Sequence, residues 1–225
     1  MKLTQEQIQE IEYALNKRGL DYIDLKYELL DHIATDIEQL MTEDKTISFD
    51  EAFNQAFYKW KDALNNSSSF WLGPANYIPT ILLDKCITYI KRYELTLIAG
   101  ALLIAFSLYP IREEVLSVIK EFDFVIGGVY ILYSLIVVAG IIGIKMFKYN
   151  TTYSYLFKLK SFPFLLISLQ FNNLIFGHSF YYEGTQVWIH IMNFSIHIMI
   201  IFGGFYMIRL LQNHFKLRER KVSVS

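Results

Sequence analysis

Apolar and polar positions follow two different patterns along this chain of 225 residues. Up to about residue 64, apolar side chains recur every three or four positions, which is typical of amphipathic helices with one buried face. From about residue 95, apolar residues form long runs that contain few charges. Runs of this length predict membrane-spanning helices, because a helix pairs its own backbone groups in hydrocarbon. The pattern predicts an all-α integral membrane protein, with an N-terminal three-helix cytoplasmic domain and a four-helix transmembrane bundle.

Capping patterns mark the helices of the N-terminal domain. Thr4 and Gln7 form a capping box, which predicts the start of the first helix. Gly19 suits the left-handed backbone conformation that ends a helix. Ser48 and Glu51 form a second capping box at the start of the third helix, and the second helix is expected from about residue 21 to residue 41.

Each of these helices has one apolar face that a small bundle would bury. The faces are formed by Ile8, Ile11 and Leu15, by Leu25, Leu29, Ile33, Ile37 and Met41, and by Phe49, Ala52, Phe53, Ala56, Phe57 and Trp60. A domain of about 60 residues buries little apolar surface, so we expect it to be stabilised further by docking on the membrane part or on a partner.

The second helix carries a charged cluster. Glu28, His32 and Asp36 are four residues apart and share one face, with Asp31 beside them. Because imidazole titrates near neutrality, one interpretation is a proton-sensing or metal-binding cluster. The other, which we favour, is a salt-bridged helix surface, since one histidine and two carboxylates from a single helix leave a metal ion under-coordinated. We therefore expect no metal site and take the four residues as candidates for binding a protein partner.

This part of the chain resembles the HAAS-type helical domain, which precedes membrane segments in many bacterial proteins. Members show an E-L-x-x-H or E-L-x-D-H core, followed by an s-x-e-e-A helix start. The matching residues here are Glu28, Leu29, Asp31 and His32, then Ser48, Glu51 and Ala52. The family's following fG pair is absent, and Tyr58-Lys59-Trp60 stands there instead. The resemblance covers about residues 1–64 and implies a cytoplasmic regulatory or protein-binding domain, in some members associated with PadR-like transcription regulators.

Four membrane spans are predicted, at about residues 95–111, 124–144, 162–180 and 187–208. The first is short, because Leu95–Tyr109 reaches only about 22 Å against a hydrocarbon core of about 30 Å. Pro163 is expected in the first turn of the third span, where proline is tolerated. A linker with a juxtamembrane helix, residues 65–94, precedes the spans, and a basic tail, residues 212–225, follows them. Two pairs of small residues predict close helix approach: Ala101 with Ala105, and Ala139 with Gly143.

Charge predicts the orientation of the spans. Residues 1–94 carry 10 Lys and Arg against 16 Asp and Glu, whereas residues 95–225 carry 11 against 6. Basic residues are abundant before span one, between spans two and three, and after span four, and scarce in the other two loops. The positive-inside rule then predicts both termini in the cytoplasm. The N-terminus lacks an apolar core, so we expect no cleavable signal peptide. The resemblance to the HAAS-type domain implies a bacterial protein, and with the four spans we therefore expect an inner-membrane location.

Polar residues lie inside the third and fourth predicted spans, where such groups usually face the bundle interior. We expect His190, Asn193 and His197 to form one stripe that faces Gln170 and Asn173. One interpretation is interhelical hydrogen bonding, at about 1 kcal/mol per bond, and we favour it. A second is a path for protons, ions or small solutes. The third is a haem or metal site, for which a second helix would have to supply a ligand. We expect no bound cofactor.

The sequence contains no catalytic motif of the HExxH, GxSxG, P-loop or dinucleotide-binding kinds, so we expect no enzyme and no catalytic residues. The acidic N-terminal part opposes nucleic-acid binding. Cys86 is the single cysteine, which excludes an internal disulfide. The predicted function is membrane-anchored regulation or scaffolding, through contacts of the N-terminal domain with a cytoplasmic or membrane protein. A small channel or transport-related protein that uses spans three and four is the alternative, and self-association is left open.

Overall fold

The computed structural model describes residues 2–147, 149–172 and 187–224, with side chains described up to residue 217. Within these ranges the regular secondary structure is helical apart from one hairpin, which confirms the predicted all-α fold class. The chain divides into two compact units. We call them the N-terminal unit, Met1–Thr88 with Tyr149–Thr152, and the apolar unit, Tyr89–Lys148 with Tyr153–Ser225.

Four helices open the N-terminal unit: α1 (Gln5–Lys17), α2 (Ile23–Glu43), α3 (Phe49–Lys59) and the short α4 (Lys61–Leu64). Both predicted capping boxes are confirmed, because Thr4 and Ser48 each exchange side-chain and backbone hydrogen bonds with the residue three positions on. Gly19 has a φ of 78°, the left-handed conformation expected after α1. The local signals for these helices are therefore confirmed.

The core of the N-terminal unit is formed by the predicted apolar faces. The fully buried positions are Ile11, Leu15, Leu25, Leu29, Ile33, Ile37 and Ala52, with Ala56 and Phe57 nearly so. The remaining predicted residues, Ile8, Met41, Phe49, Phe53 and Trp60, are half-buried at the edges of these faces. The helical periodicity of the sequence thus identifies which side of each helix packs inward.

A β-hairpin occupies the segment expected to be a linker. Strand β1 (Asn66–Ser69) pairs antiparallel with β2 (Gly73–Pro79), and Gly73 has a φ of 89° where the chain turns. Helix α5 (Thr80–Tyr89) follows directly. The chain also returns to this unit much later, since the Ile23 N–H donates to the Asn150 carbonyl at 3.0 Å.

The apolar unit consists of helical segments. After a π-helical turn (Ile90–Glu94) they are α6 (Leu95–Leu108), a 3₁₀ turn (Tyr109–Ile111), α7 (Arg112–Glu121), α8 (Asp123–Phe147), α9 (Thr152–Gln170) and α10 (Val187–Val224). Within the described ranges, three helical stretches are long and apolar enough to cross a membrane: Thr80–Glu121, Asp123–Phe147 and Val187–Leu217. They contain the predicted first, second and fourth spans and indicate a membrane protein.

The helix in the region of the predicted third span begins earlier than expected. Helix α9 begins at Thr152, ten positions before the predicted start, so Pro163 lies in the helix interior and not in its first turn. The earlier start follows from packing, because Leu156 and Phe157 are fully buried and give this polar stretch an apolar face. The end of the predicted span lies within residues 173–186, outside the described part of the chain.

Close helix approach occurs at one of the two predicted small-residue pairs. Ala101 and Ala105 are buried on α6, and Ala105 packs with Ile191 and Phe194 of α10. On α8, Ala139 is exposed, and Gly140 is the buried position instead. A Cβ atom on Gly140 would lie 2.7 Å from atoms of Leu211 and Phe157, so α8 approaches its neighbours there. Gly143, three positions further on, is half-buried, and a Cβ on it would lie 3.5 Å from Phe215. The small-residue pattern therefore identifies the helix and one of the two contact positions, but Gly140 takes the place of Ala139.

Candidate functional site

The acidic cluster of α2 is engaged within the N-terminal unit. The Asp36 carboxylate accepts hydrogen bonds from Lys59 Nζ at 2.8 and 2.9 Å and from Trp60 Nε1 at 2.9 Å. The imidazole of His32 stacks on the Trp60 ring, with ring centroids 5.8 Å apart and planes 15° from parallel. These contacts fix both α2 side chains against the end of α3, as the salt-bridged interpretation of the cluster expects.

The hydrogen bonds to Asp36 determine its charge. Partial burial alone would raise the pKa of this carboxyl, but the hydrogen bonds from Lys59 and Trp60, with the positive charge of Lys59, outweigh burial and hold the pKa below its usual value. Asp36 is therefore ionised at neutral pH and forms a charged pair of fixed geometry on the surface of the domain.

The other two acidic residues of the cluster, Glu28 and Asp31, differ in whether their carboxylates are paired. Glu28 Oε2 lies 2.6 Å from Lys85 Nζ, and the same ammonium group is 3.8 Å from Asp24. Asp31 is exposed, and within the described ranges its carboxylate forms no hydrogen bond or ion pair, although its backbone carbonyl accepts a bond from Thr35. Asp31 is thus the member of the cluster whose charge is available to a partner.

A polar cleft of about 250 Å³ adjoins Asp36 on the surface of the N-terminal unit. Gln39 and Glu43 of α2 form one wall, where Gln39 Nε2 donates to Glu43 Oε1 at 2.8 Å, and Gln55 of α3 forms the other with Lys59. Sequence reasoning missed Gln39, Glu43 and Gln55. The sequence places these residues on the polar side of each helix. It does not record how α2 crosses α3, and this crossing creates the cleft.

Polar side chains of the apolar unit join its helices. The Tyr130 hydroxyl of α8 hydrogen-bonds His197 Nδ1 of α10 at 2.6 Å, and the Ser134 hydroxyl of α8 lies 3.0 Å from the Ser168 hydroxyl of α9. Tyr130, Ser134 and Ser168 were not among the predicted residues, because tyrosine and serine occur in membrane helices without interrupting an apolar run.

The contacts of His197 differ from those predicted for the α10 stripe. Gln170 is exposed at the end of α9 and does not pair with His197, whose hydrogen-bond partner is on α8. The rings of His197 and Phe171 are nearly perpendicular, at 85°, with their centroids 6.0 Å apart. His190 and Asn193 are half-buried on α10, and Asn173 lies outside the described residues. The contacts that can be seen agree with a structural role in fixing the bundle.

An ion pair inside the apolar unit was not expected from the sequence. Lys160 Nζ lies 2.8 Å from Glu94 Oε2, and about three quarters of each side chain is buried. The pair could not be predicted because Glu94 lies just before the predicted first span and Lys160 just before the predicted third, and nothing in the sequence relates the two positions. The helical extension of both segments brings the two residues together.

Comparisons of the chain with protein-family models, curated proteins and solved structures find no match. Among the described residues, no group of three or more His, Cys, Asp and Glu side chains is arranged to hold a metal ion. The resemblance to the HAAS-type domain stays a prediction, and it rests on the Glu28–His32 motif of α2 and on the helix start at Ser48.

Proposed function

We propose that this chain is a membrane-anchored regulatory or scaffolding protein of the bacterial inner membrane. In this proposal the apolar unit crosses the membrane four times, both termini lie in the cytoplasm, and residues 1–64 bind a protein partner. The single observation that carries the proposal is the cleft between α2 and α3, in which Asp36 and its neighbours are already held in position.

The contacts around the cleft suit binding to another protein. Side chains that are fixed before binding lose less conformational freedom when a partner docks, which favours affinity. Asp36 is fixed by Lys59 and Trp60, and Gln39 is fixed by Glu43. The amide groups of Gln39 and Gln55 add hydrogen-bonding groups at the rim.

Charge indicates the kind of partner. Residues 1–94 carry six more acidic than basic side chains, and the cleft contains the carboxylates of Asp36 and Glu43 against the single ammonium of Lys59. A long basic side chain from the partner would reach Glu43 and form a charge-assisted hydrogen bond there. We therefore infer a partner surface with an exposed arginine or lysine, and Asp31 as a further contact on the same helix.

A site-specific photo-crosslinker tests this proposal in cells. Placed at Gln55, it should form an adduct of one defined mass with a second protein, and the adduct should weaken at least about tenfold when Glu43→Lys is added. The matched control is a crosslinker at Gln9, an exposed position on α1. Equal adducts from both positions, or an adduct insensitive to Glu43→Lys, would contradict the proposal, and an adduct of twice the chain mass would indicate self-association instead.

The transport alternative receives less support from the contacts of the apolar unit. His197 is already bonded to Tyr130, and Ser134 is bonded to Ser168, so these polar groups are used between helices. A His197→Leu variant distinguishes the two roles. An altered solute flux in vesicles with unchanged thermal stability would favour transport, whereas lower stability without a change in flux would favour interhelical bonding.

A further inference from the structure

A groove lies in the apolar unit between α6, α9 and α10. It has a cavity of about 250 Å³ whose walls are almost entirely apolar, including Ile98, Phe164, Ile167 and Ile200. At one end stands the Lys160–Glu94 ion pair. The groove therefore combines apolar walls with a charged end, as the binding site of an amphipathic molecule requires.

The groove opens on the outer surface of the helices. Ile98 and Ile167, which line it, are 40% and 42% exposed although neither side chain is polar. In a protein that crosses a membrane, such surface faces the acyl chains of the lipid. From Lys160 to Ile167 the groove follows α9 for about 10 Å, at 1.5 Å per residue. An acyl chain can lie along this length.

The charged end of the groove has one oxygen without a partner. Lys160 binds Glu94 Oε2, while Glu94 Oε1 is buried and accepts no hydrogen bond from any residue in the described ranges. A buried carboxylate oxygen left in this state is unfavourable, since it has lost water without gaining a donor. A ligand that supplies an N–H or O–H group would give this oxygen the donor it lacks.

A second cavity continues from this end. It has a volume of about 400 Å³, shares Glu94 and Leu97 with the groove, and adds Arg92. Arg92 and Glu94 both belong to the π-helical turn Ile90–Glu94. Single π turns in helices are often found at functional sites. Here the turn places a cation and a carboxylate at the start of the apolar stretch, where lipid headgroups lie.

We propose that this groove binds a phospholipid whose headgroup carries a primary ammonium group. One acyl chain lies along α9, and the phosphate lies near Lys160 and Arg92. The Glu94 carboxylate, a quarter of which is exposed, turns so that Oε1 accepts a hydrogen bond from the ammonium. A choline headgroup has no N–H to donate to Glu94 Oε1, and a headgroup with no cation would bring its negative phosphate beside the Glu94 carboxylate without supplying a donor. The charges at the end of the groove therefore select a zwitterionic lipid with a donor.

Native mass spectrometry of the purified full chain tests the selection. The protein is mixed with equal amounts of phosphatidylethanolamine, phosphatidylcholine and phosphatidylglycerol that carry the same acyl chains. We expect at least about tenfold more bound phosphatidylethanolamine than either competitor, the ratio that one charge-assisted hydrogen bond supplies. Equal binding of the three lipids, or a preference for phosphatidylglycerol, would overturn the proposal.

Two pairs of variants locate the site. Glu94→Gln should reduce the preference at least about tenfold, while Glu121→Gln, an exposed carboxylate of α7, should leave it unchanged. Ile167→Trp fills the groove without touching the ion pair and should abolish retention of the lipid, whereas Leu166→Trp, exposed but outside the groove, should not. A normal lipid preference in both Glu94→Gln and Ile167→Trp would exclude this groove even if one variant folded poorly.

Discussion

Asp36 joins α2 to the end of α3, and its pKa is lowered by the hydrogen bonds it accepts from Lys59 and Trp60. A carboxyl whose pKa is lower in the folded than in the unfolded chain stabilises the fold at pH values above the unfolded pKa. This contribution disappears as the pH falls through the folded pKa. We expect Asp36→Asn to lower the free energy of unfolding by about 1–2 kcal/mol at pH 7. The loss should shrink as the pH falls below 3.8, the usual value for aspartate.

Urea unfolding of the purified chain, followed by tryptophan fluorescence at several pH values, measures this difference. Asp31→Asn is the matched control, because Asp31 is exposed on the same helix. It should change the free energy of unfolding by less than about 0.5 kcal/mol at every pH. A loss from Asp36→Asn that is the same at pH 7 and pH 3 would show that its charge is not the cause.

Two glycines of α8, Gly140 and Gly128, differ in the space available for a side chain. A Cβ on Gly140 would collide with Leu211 and Phe157 at 2.7 Å, whereas a Cβ on Gly128 would meet no atom within 4 Å. We expect Gly140→Ala to destabilise the protein by about 1–3 kcal/mol, and Gly128→Ala to be neutral or to stabilise it by up to about 1 kcal/mol. Thermal unfolding midpoints in one detergent compare them, and equal midpoints would contradict the close approach at Gly140.

These residues mark the boundary of what the sequence can predict. Thr4, Gly19 and Ser48 were predictable because a cap is completed within four residues of the chain. The contact of Asp36 with Trp60 and the burial of Gly140 depend on how two helices cross, which no local pattern records. Hence the prediction named Gly143 correctly but named Ala139 in place of Gly140, and one position turns a side chain by about 100° around the helix.

Helix α9 is the element in which the sequence misled most. Its first half contains Lys158 and Lys160, and these charges led to the prediction of a loop. This half is nevertheless helical, because Leu156 and Phe157 are buried. The hairpin β1–β2 was missed for a similar reason, since its serine-rich first strand has no apolar alternation. In both elements, packing and backbone pairing outweigh the local pattern.

Pro163 makes a testable element-scale prediction, because it lies inside α9. Proline has no N–H, so the carbonyl of Leu159 loses its usual partner. We expect Pro163→Ala to stabilise the protein by up to about 3 kcal/mol. Pro110 lies in the first positions of a 3₁₀ turn, where the missing N–H matters little, and Pro110→Ala should change stability by less than about 0.5 kcal/mol. Thermal unfolding in one detergent separates the two, and no gain from Pro163→Ala would show that the freed carbonyl is satisfied in another way.

At the scale of the whole molecule, the number of membrane spans determines where the two termini lie. Three apolar helical stretches in the described ranges contain the first, second and fourth predicted spans. They were predictable because the thickness of a bilayer requires long apolar runs. The predicted third span, residues 162–180, begins within α9 and ends outside the described residues. Whether the number of spans is even or odd decides the relative position of the termini. Four spans place the termini on the same side of the membrane, and three place them on opposite sides.

Cysteine labelling in cells tests this parity. In a Cys86→Ser background, which removes the buried native thiol, single cysteines at Lys2 and Lys221 are treated with a membrane-impermeant maleimide. The basic segments before span one, between spans two and three, and after span four favour a cytoplasmic position for both sites. We therefore expect both to be labelled only after the membrane is opened, whereas a cysteine at Ser117, in the basic-poor first loop, should be labelled in intact cells. Labelling of the Lys221 site in intact cells, with the Lys2 site protected, would establish an odd number of spans and exclude the proposed topology.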